Sequence, residues 1–145
     1  MICALTCFLR LGDPQAVVVI DETSFPKRGK KSAGVKKQYC GTTGRVENCQ
    51  VGVFLSYVSK KGHTLIDREL YLPKEWIDDP RRCREAGIPE GIGFQTKCEL
   101  ARAMIERLYQ AKIPFAEGAL QIPYMAEIWT CASGWKCIST PTSWP

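Results

Sequence analysis

Histidine is nearly missing from this chain: His63 is the single example among 145 residues. No Cys-x-x-Cys pair occurs either, so a structural zinc site has little to build on. No apolar run approaches the roughly 20 residues that a membrane-spanning helix needs, so no membrane partner is expected. A Gly-rich phosphate loop, a nucleophile elbow and a histidine-based triad are all lacking, which leaves nucleotide-binding and hydrolase readings without support. The opening stretch MICALTCFLR has no basic residues ahead of its apolar ones and no small-x-small cleavage site. Export is therefore not expected.

What is present suits one globular domain: 45% hydrophobic and 24% charged residues exclude collagen-like, low-complexity and wholly disordered chains. Twenty Lys and Arg against fifteen Asp and Glu leave a net charge of +5, which permits a nucleic-acid partner. The eight cysteines, Cys3, Cys7, Cys40, Cys49, Cys83, Cys98, Cys131 and Cys137, would suggest disulfides in a secreted chain. Without an export signal, reduced thiols in a cytoplasmic protein are the expectation.

The β-branched run Ala16 to Ile20, ending in Asp21-Glu22-Thr23, predicts a strand buried on both faces. Phe25 to Lys37 carries breakers and six cations, and predicts a solvated loop or hairpin. Val46 to Val58 and His63 to Leu72, joined by Ser59-Lys60-Lys61-Gly62, predict an antiparallel hairpin. Cys49, Val51, Val53, Leu55 and Tyr57 share one face of its first strand. On its second, Ile66, Leu70 and Leu72 share a face with Arg68, while Asp67, Glu69 and Tyr71 point the other way. Lys74 to Ile92 is turn-rich. Thr96 and Glu99 then form a capping box for a helix whose stripe is Leu100, Met104 and Leu108, widened by Ile105. Arg102, Glu106, Arg107 and Gln110 lie on its wet side. Ile113 to Ala116 predicts a fourth strand, and from Glu117 on neither period persists.

Asp21 is the leading catalytic candidate, because a carboxylate at the end of a buried strand is held rigidly at a rim where a hydrated cation can sit. The alternative is an Asp that merely turns the chain. Lys27, Arg28, Lys30, Lys31, Lys36 and Lys37 place six cations within eleven residues, a set suited to phosphates or to a solvated hairpin tip. Asp67 and Glu69 share a strand face and could be ligands, but the expectation is that they pair with Lys and Arg of the neighbouring loop, and that His63 is an exposed loop residue.

Four segments carry a resemblance. Val19-Ile20-Asp21-Glu22-Thr23, Lys30 to Val35, Gln38 to Gln50 and Asp67 to Pro73 closely resemble the catalytic domain of bacterial insertion-sequence transposases, the DDE-superfamily endonucleases of the insertion-sequence-701 kind. The likeness runs from Leu11 to Ala116. It implies an α/β, RNase-H-like fold and two-metal phosphoryl transfer on DNA, with three carboxylates holding two Mg²⁺ ions. Asp21 falls on the family's first catalytic Asp and is its implied metal ligand. The second should follow the strand at Ile113 to Ala116, yet no Asp occurs after Asp79. A shifted reading frame accounts for the loss: from the third base of the Gln121 codon, Asp-Thr-Val-Tyr-Gly is accessible. The Met125-Ala126 codons force that Gly, and Met1-Ile2 likewise conceals an Asp.

The resulting expectation is a truncated, partial RNase-H-like domain over residues 11–117, with an irregular or out-of-frame start at 1–10. Residues 118–145 are expected to form an out-of-frame, poorly packed tail. The expected partner is DNA at transposon ends, and the cofactor Mg²⁺ with an incomplete site and hence negligible chemistry. The rival expectation is a non-catalytic DNA-binding module, or a remnant that pairs with an intact transposase and inhibits it.

Overall fold

A computed structural model of the chain describes residues 10–116 and 120–121. The β-branched run becomes β1 (Val17–Pro26), longer than its apolar core because Thr23 to Pro26 continue the ladder. The hairpin forms as β3 (Arg45–Ser59) and β4 (Gly62–Tyr71), closed by Lys60 and Lys61. β1 runs antiparallel along one edge of β3, from Val17 opposite Val58 to Pro26 opposite Cys49.

The end of the segment read as a solvated loop or hairpin, Lys36 and Lys37, begins a further strand, β2 (Lys36–Cys40), which turns back into β3 through residues 41–44. Its two leading lysines conceal the alternation, which is nevertheless there: Cys40 is buried and Lys37 and Tyr39 are exposed. β2 and β4 divide the second edge of β3, β2 taking Arg45 to Cys49 and β4 taking Val51 to Ser59.

The turn-rich stretch holds two short helices, α1 (Lys74–Ile77) and α2 (Pro80–Glu85). Trp76 of α1 is completely buried and donates its indole N–H to the Val35 carbonyl at 2.8 Å. Gly34 makes that approach possible. It sits at φ +73°, and a Cβ there would stand 2.7 Å from the Tyr71 carbonyl.

α3 (Lys97–Gln110) starts as its sequence predicts: the Thr96 hydroxyl accepts from the Glu99 N–H and Glu99 returns to the Thr96 N–H at 2.7 Å. Leu100, Ala101, Met104, Ile105 and Leu108 are buried against Val18, Ile20, Val53, Leu55 and Tyr57. This one-sided packing of α3 on the sheet is the main core. A smaller cluster joins Cys40, Cys49 and Val51, with Tyr71 against it.

The fourth strand lies further on than its apolar signal. Ile113 and Phe115 pack on the core rather than pairing in a ladder, and only the Ala116 N–H reaches β1's approach, donating to the Ala16 carbonyl at 2.9 Å. The strand itself is β5 (Leu120–Gln121), parallel to β1 beside Val18 and Val19. The Tyr57 hydroxyl ties this corner together. It accepts from the Asp13 N–H and lies 2.8 Å from the Pro114 carbonyl.

A second correction concerns β4. A bulge at Ile66, between the Leu55–Asp67 and Ser56–Leu65 pairs, turns Ile66 towards the core. Ile66 therefore shares its side with Tyr71, not with Leu70. The proposed out-of-frame segments 1–10 and 118–145 lie outside the described residues, apart from Arg10 and β5.

Candidate functional site

Alternation along β1 separates two neighbouring carboxylates. Ile20, Glu22 and Ser24 face α3, while Asp21 faces the opposite side of the sheet, where Phe54 of β3 and then Arg68 of β4 continue the row. Asp21 is exposed, and its Oδ1 accepts the Glu22 N–H at 2.8 Å. Glu22 is half-buried and meets the ammonium of Lys97, at the start of α3, at 2.5 Å. That ammonium also lies 5.6 Å from the Tyr71 ring centre.

The acids of β4 are committed elsewhere. Arg107 of α3 reaches Asp67 at 2.8 Å and Glu69 at 2.6 Å. The pairing role expected for these two acids therefore holds, but the partner is the helix and not the neighbouring loop. Burial works against the charge of Arg107, and the hydrogen bonds and charges of Asp67 and then Glu69 outweigh it, raising its pKa. Arg107 stays exposed, on the wet side expected from sequence, while its guanidinium reaches across to β4.

Among the described residues, the donors around Asp21 are too few for a two-metal centre. Among the described residues no group of three or more His, Cys, Asp and Glu side chains stands close enough to hold a metal ion. Asp21 alone supplies one carboxylate where such chemistry calls for several.

The six cations do not form one cluster. Lys27, Arg28, Lys30 and Lys31 occupy the loop after β1, with Arg28, Lys30 and Lys31 exposed. Lys36 and Lys37 sit on β2, where Lys36 is bound to Glu75 at 2.7 Å and Lys37 is exposed. The loop backbone is held by its carbonyls: Asn48 Nδ2 donates to Lys27 at 2.9 Å and to Gly29 at 2.6 Å, and Gln50 donates to Ala33 at 2.8 Å. Lys27 stands six residues from Asp21, about 20 Å along an extended strand. His63 is exposed as expected, although it belongs to β4.

Two of the larger cavities, about 360 Å³ between α3 and β4 and about 310 Å³ under residues 86–95, are not lined by Asp21, although its cross-strand partner Phe54 borders the first. The site is thus an open sheet rim beside a cationic loop. A family model described as DDE superfamily endonuclease matches residues 2–116. The chain belongs to that family. A relative, the probable transposase for insertion sequence element IS701 from Microchaete diplosiphon, is 29% identical over 99 residues. That alignment covers 68% of this chain and 23% of the relative, so the chain spans under a quarter of the relative's length. No solved structure matches.

The sequence singled out Asp21 and the loop cations as candidates but did not reveal what holds the loop. Asn48 and Gln50 point into the loop from β3, and Arg82 reaches it from α2. A lone Trp followed within a few residues by Arg-Arg-x-Arg was the available signal. The surrounding prolines and glycines obscured it.

Proposed function

We propose that this chain is part of a DDE transposase domain that engages DNA and carries the first catalytic carboxylate, Asp21, without a complete metal site. The carrying observation is Asp21's exposed place on β1, the strand that lies between β3 and β5. The order of antiparallel β1, β3 and β4, then α3, then β5 parallel to β1, supports an RNase-H-like sheet. Mg²⁺ is the metal this reading implies for the whole domain. No cleavage step is assigned to the chain alone, because the described carboxylates other than Asp21 are paired or distant. Lys27, Arg28, Lys30, Lys31 and Lys37 would meet phosphates, with Lys36 joining them only after leaving Glu75. A separation of about 20 Å from Asp21 fits within one turn of a duplex, about 34 Å. The setting is the cytoplasm and the partner DNA, including transposon ends.

The test is a nicking assay on supercoiled plasmid with Mg²⁺, alongside duplex binding at several salt concentrations. Salt-dependent binding without nicking is the expected result. A Mg²⁺-dependent nick that disappears in Asp21→Ala would show a complete centre and overturn the inactive reading. A second reading, pairing with an intact transposase, draws on β4, which among the described residues pairs on one edge only.

A further inference from the structure

The loop cations have neighbours that the family reading does not use. α2 carries Arg81, Arg82 and Arg84 in the run Pro80-Arg81-Arg82-Cys83-Arg84-Glu85. We infer that the α2 arginines and the loop from Lys27 to Lys31 form one phosphate-binding surface for duplex DNA, with Arg82 as the residue that positions the two halves. This inference rests on the proposal that the chain acts on DNA.

Arg82 is the joint. Its guanidinium stacks 3.8 Å from the centre of the buried Trp76 ring. One of its terminal nitrogens donates to the Lys30 carbonyl at 3.1 Å and lies 3.4 Å from the Val35 carbonyl. Trp76 donates to that same Val35 carbonyl, so the indole and the α2 guanidinium share one acceptor on the loop. α2 is fixed from its other side as well: Asp79 accepts the Arg82 N–H at 3.0 Å, and the Cys83 thiol lies 3.0 Å from the Trp76 carbonyl. The Lys30 backbone is thus tied to α2 through the Arg82 guanidinium.

The cations that flank this joint are exposed. Arg84 makes no ion pair among the described residues, and Arg81 meets only Glu85 of its own helix, at 3.0 Å with both groups open to water. An exposed pair of that kind is weak and yields readily to a phosphate. Of the nearby acids, Glu75 is taken up by Lys36 and Asp79 by the α2 cap, while Asp78 stands exposed between α1 and α2. Guanidinium groups suit phosphate oxygens because their planar fork can donate twice. Two elements locked in register offer a duplex backbone several contacts at once, whereas a free loop would have to be ordered first.

The experiment is fluorescence-anisotropy binding of a labelled 30-base-pair duplex by the full chain at 50 to 200 mM salt. The proteins are wild type, Arg81→Gln with Arg84→Gln, Lys30→Gln with Lys31→Gln, Arg82→Gln, and Arg82→Gln with the lysine pair. Each lost phosphate contact lowers the slope of log K against log salt by about 0.9. Neutralising Arg81 and Arg84 is expected to flatten it by about 2. Arg82→Gln is expected to make the lysine substitutions cost less than they do in wild type, a coupling that independent surface charges would not show. Circular dichroism identical to wild type confines the effect to binding. Wild-type binding with an unchanged slope in the α2 double variant overturns this inference and leaves the DNA reading standing. Additive losses for Arg82 and the lysines overturn the positioning role. No binding by wild type, or tighter binding to phosphatidylserine vesicles than to duplex, overturns the DNA reading itself.

Discussion

Trp76 offers the sharpest test of how the helical insert is held. Its side chain is wholly buried, its indole N–H is spent on Val35, and Arg82 covers one ring face. Trp76→Ala removes the ring and leaves a cavity, a change that costs about 3–5 kcal/mol in packed interiors. Trp76→Phe keeps most of the fill but deletes the donor, leaving Val35 with Arg82 at 3.4 Å as a weak partner. That loss is worth about 1–2 kcal/mol, the hydrogen bond plus a small packing defect. Against a total stability of about 5–15 kcal/mol, the alanine variant is expected to be close to unfolding. In urea, with a slope of about 1.5 kcal/mol per molar, the midpoint should fall by about 1 M for phenylalanine and 2–3 M for alanine. Far-ultraviolet circular dichroism is the right probe, because the chain has four tryptophans and fluorescence would mix them. Equal midpoints for the two variants, or an alanine cost below about 1 kcal/mol, would refute the claim that the insert is anchored by burial of this ring.

Four further outcomes follow from named contacts. Thr96→Ala should destabilise by about 1 kcal/mol in thermal melts, as the loss of an N-cap does. The hydrogen bonds from the Thr96 backbone and hydroxyl hold the Glu99 carboxyl below its ordinary pKa. Its contribution is therefore full above the unfolded value, near 4.5, and fades as pH falls through the lower folded value; Glu99→Gln should flatten that acid limb of a stability–pH curve. Gly34→Ala puts a Cβ 2.7 Å from the Tyr71 carbonyl at positive φ, and should cost more than the roughly 1 kcal/mol of backbone strain alone, measured by denaturant midpoint. Burial, reinforced by the neighbouring Cys40, raises the Cys49 thiol pKa, so iodoacetamide at pH 8 should label half-buried Cys83 well before Cys49 in the native chain.

Local periodicity was legible wherever one face of an element meets the core. Val51, Val53, Leu55 and Tyr57 alternate inward as their spacing predicts, and the Thr96–Glu99 box starts α3 where the pattern puts it. What escaped depended on distant partners. β2 exists because Arg45 to Cys49 lie opposite it, and its Lys36-Lys37 start reads as loop in isolation. Ile113 and Phe115 look like a strand because they are apolar, but that apolarity serves the core and the ladder begins later. At the site, the side chain of Asp21 could be placed from the parity of β1, including its opposition to Glu22. The pairing of Glu22 with Lys97, and of Asp67 and Glu69 with Arg107, needed the packing of α3 on the sheet.

The parallel neighbour of β1 also fixes an order of events during synthesis. The β3–β4 hairpin is closed by two residues, so once its segment leaves the ribosome it can zip within about 1–10 μs. Val18 and Val19, by contrast, must wait for Leu120 and Gln121. At about 5–20 residues per second, the intervening hundred or so residues take on the order of ten seconds to be made. Throughout that interval the Val-Val-Val-Ile edge of β1 stands without its final neighbour, a template for any other extended chain nearby. Crowded translation of this message therefore exposes each nascent copy to its siblings at the strand that carries Asp21, and a chaperone that binds β-branched segments would act on that edge first.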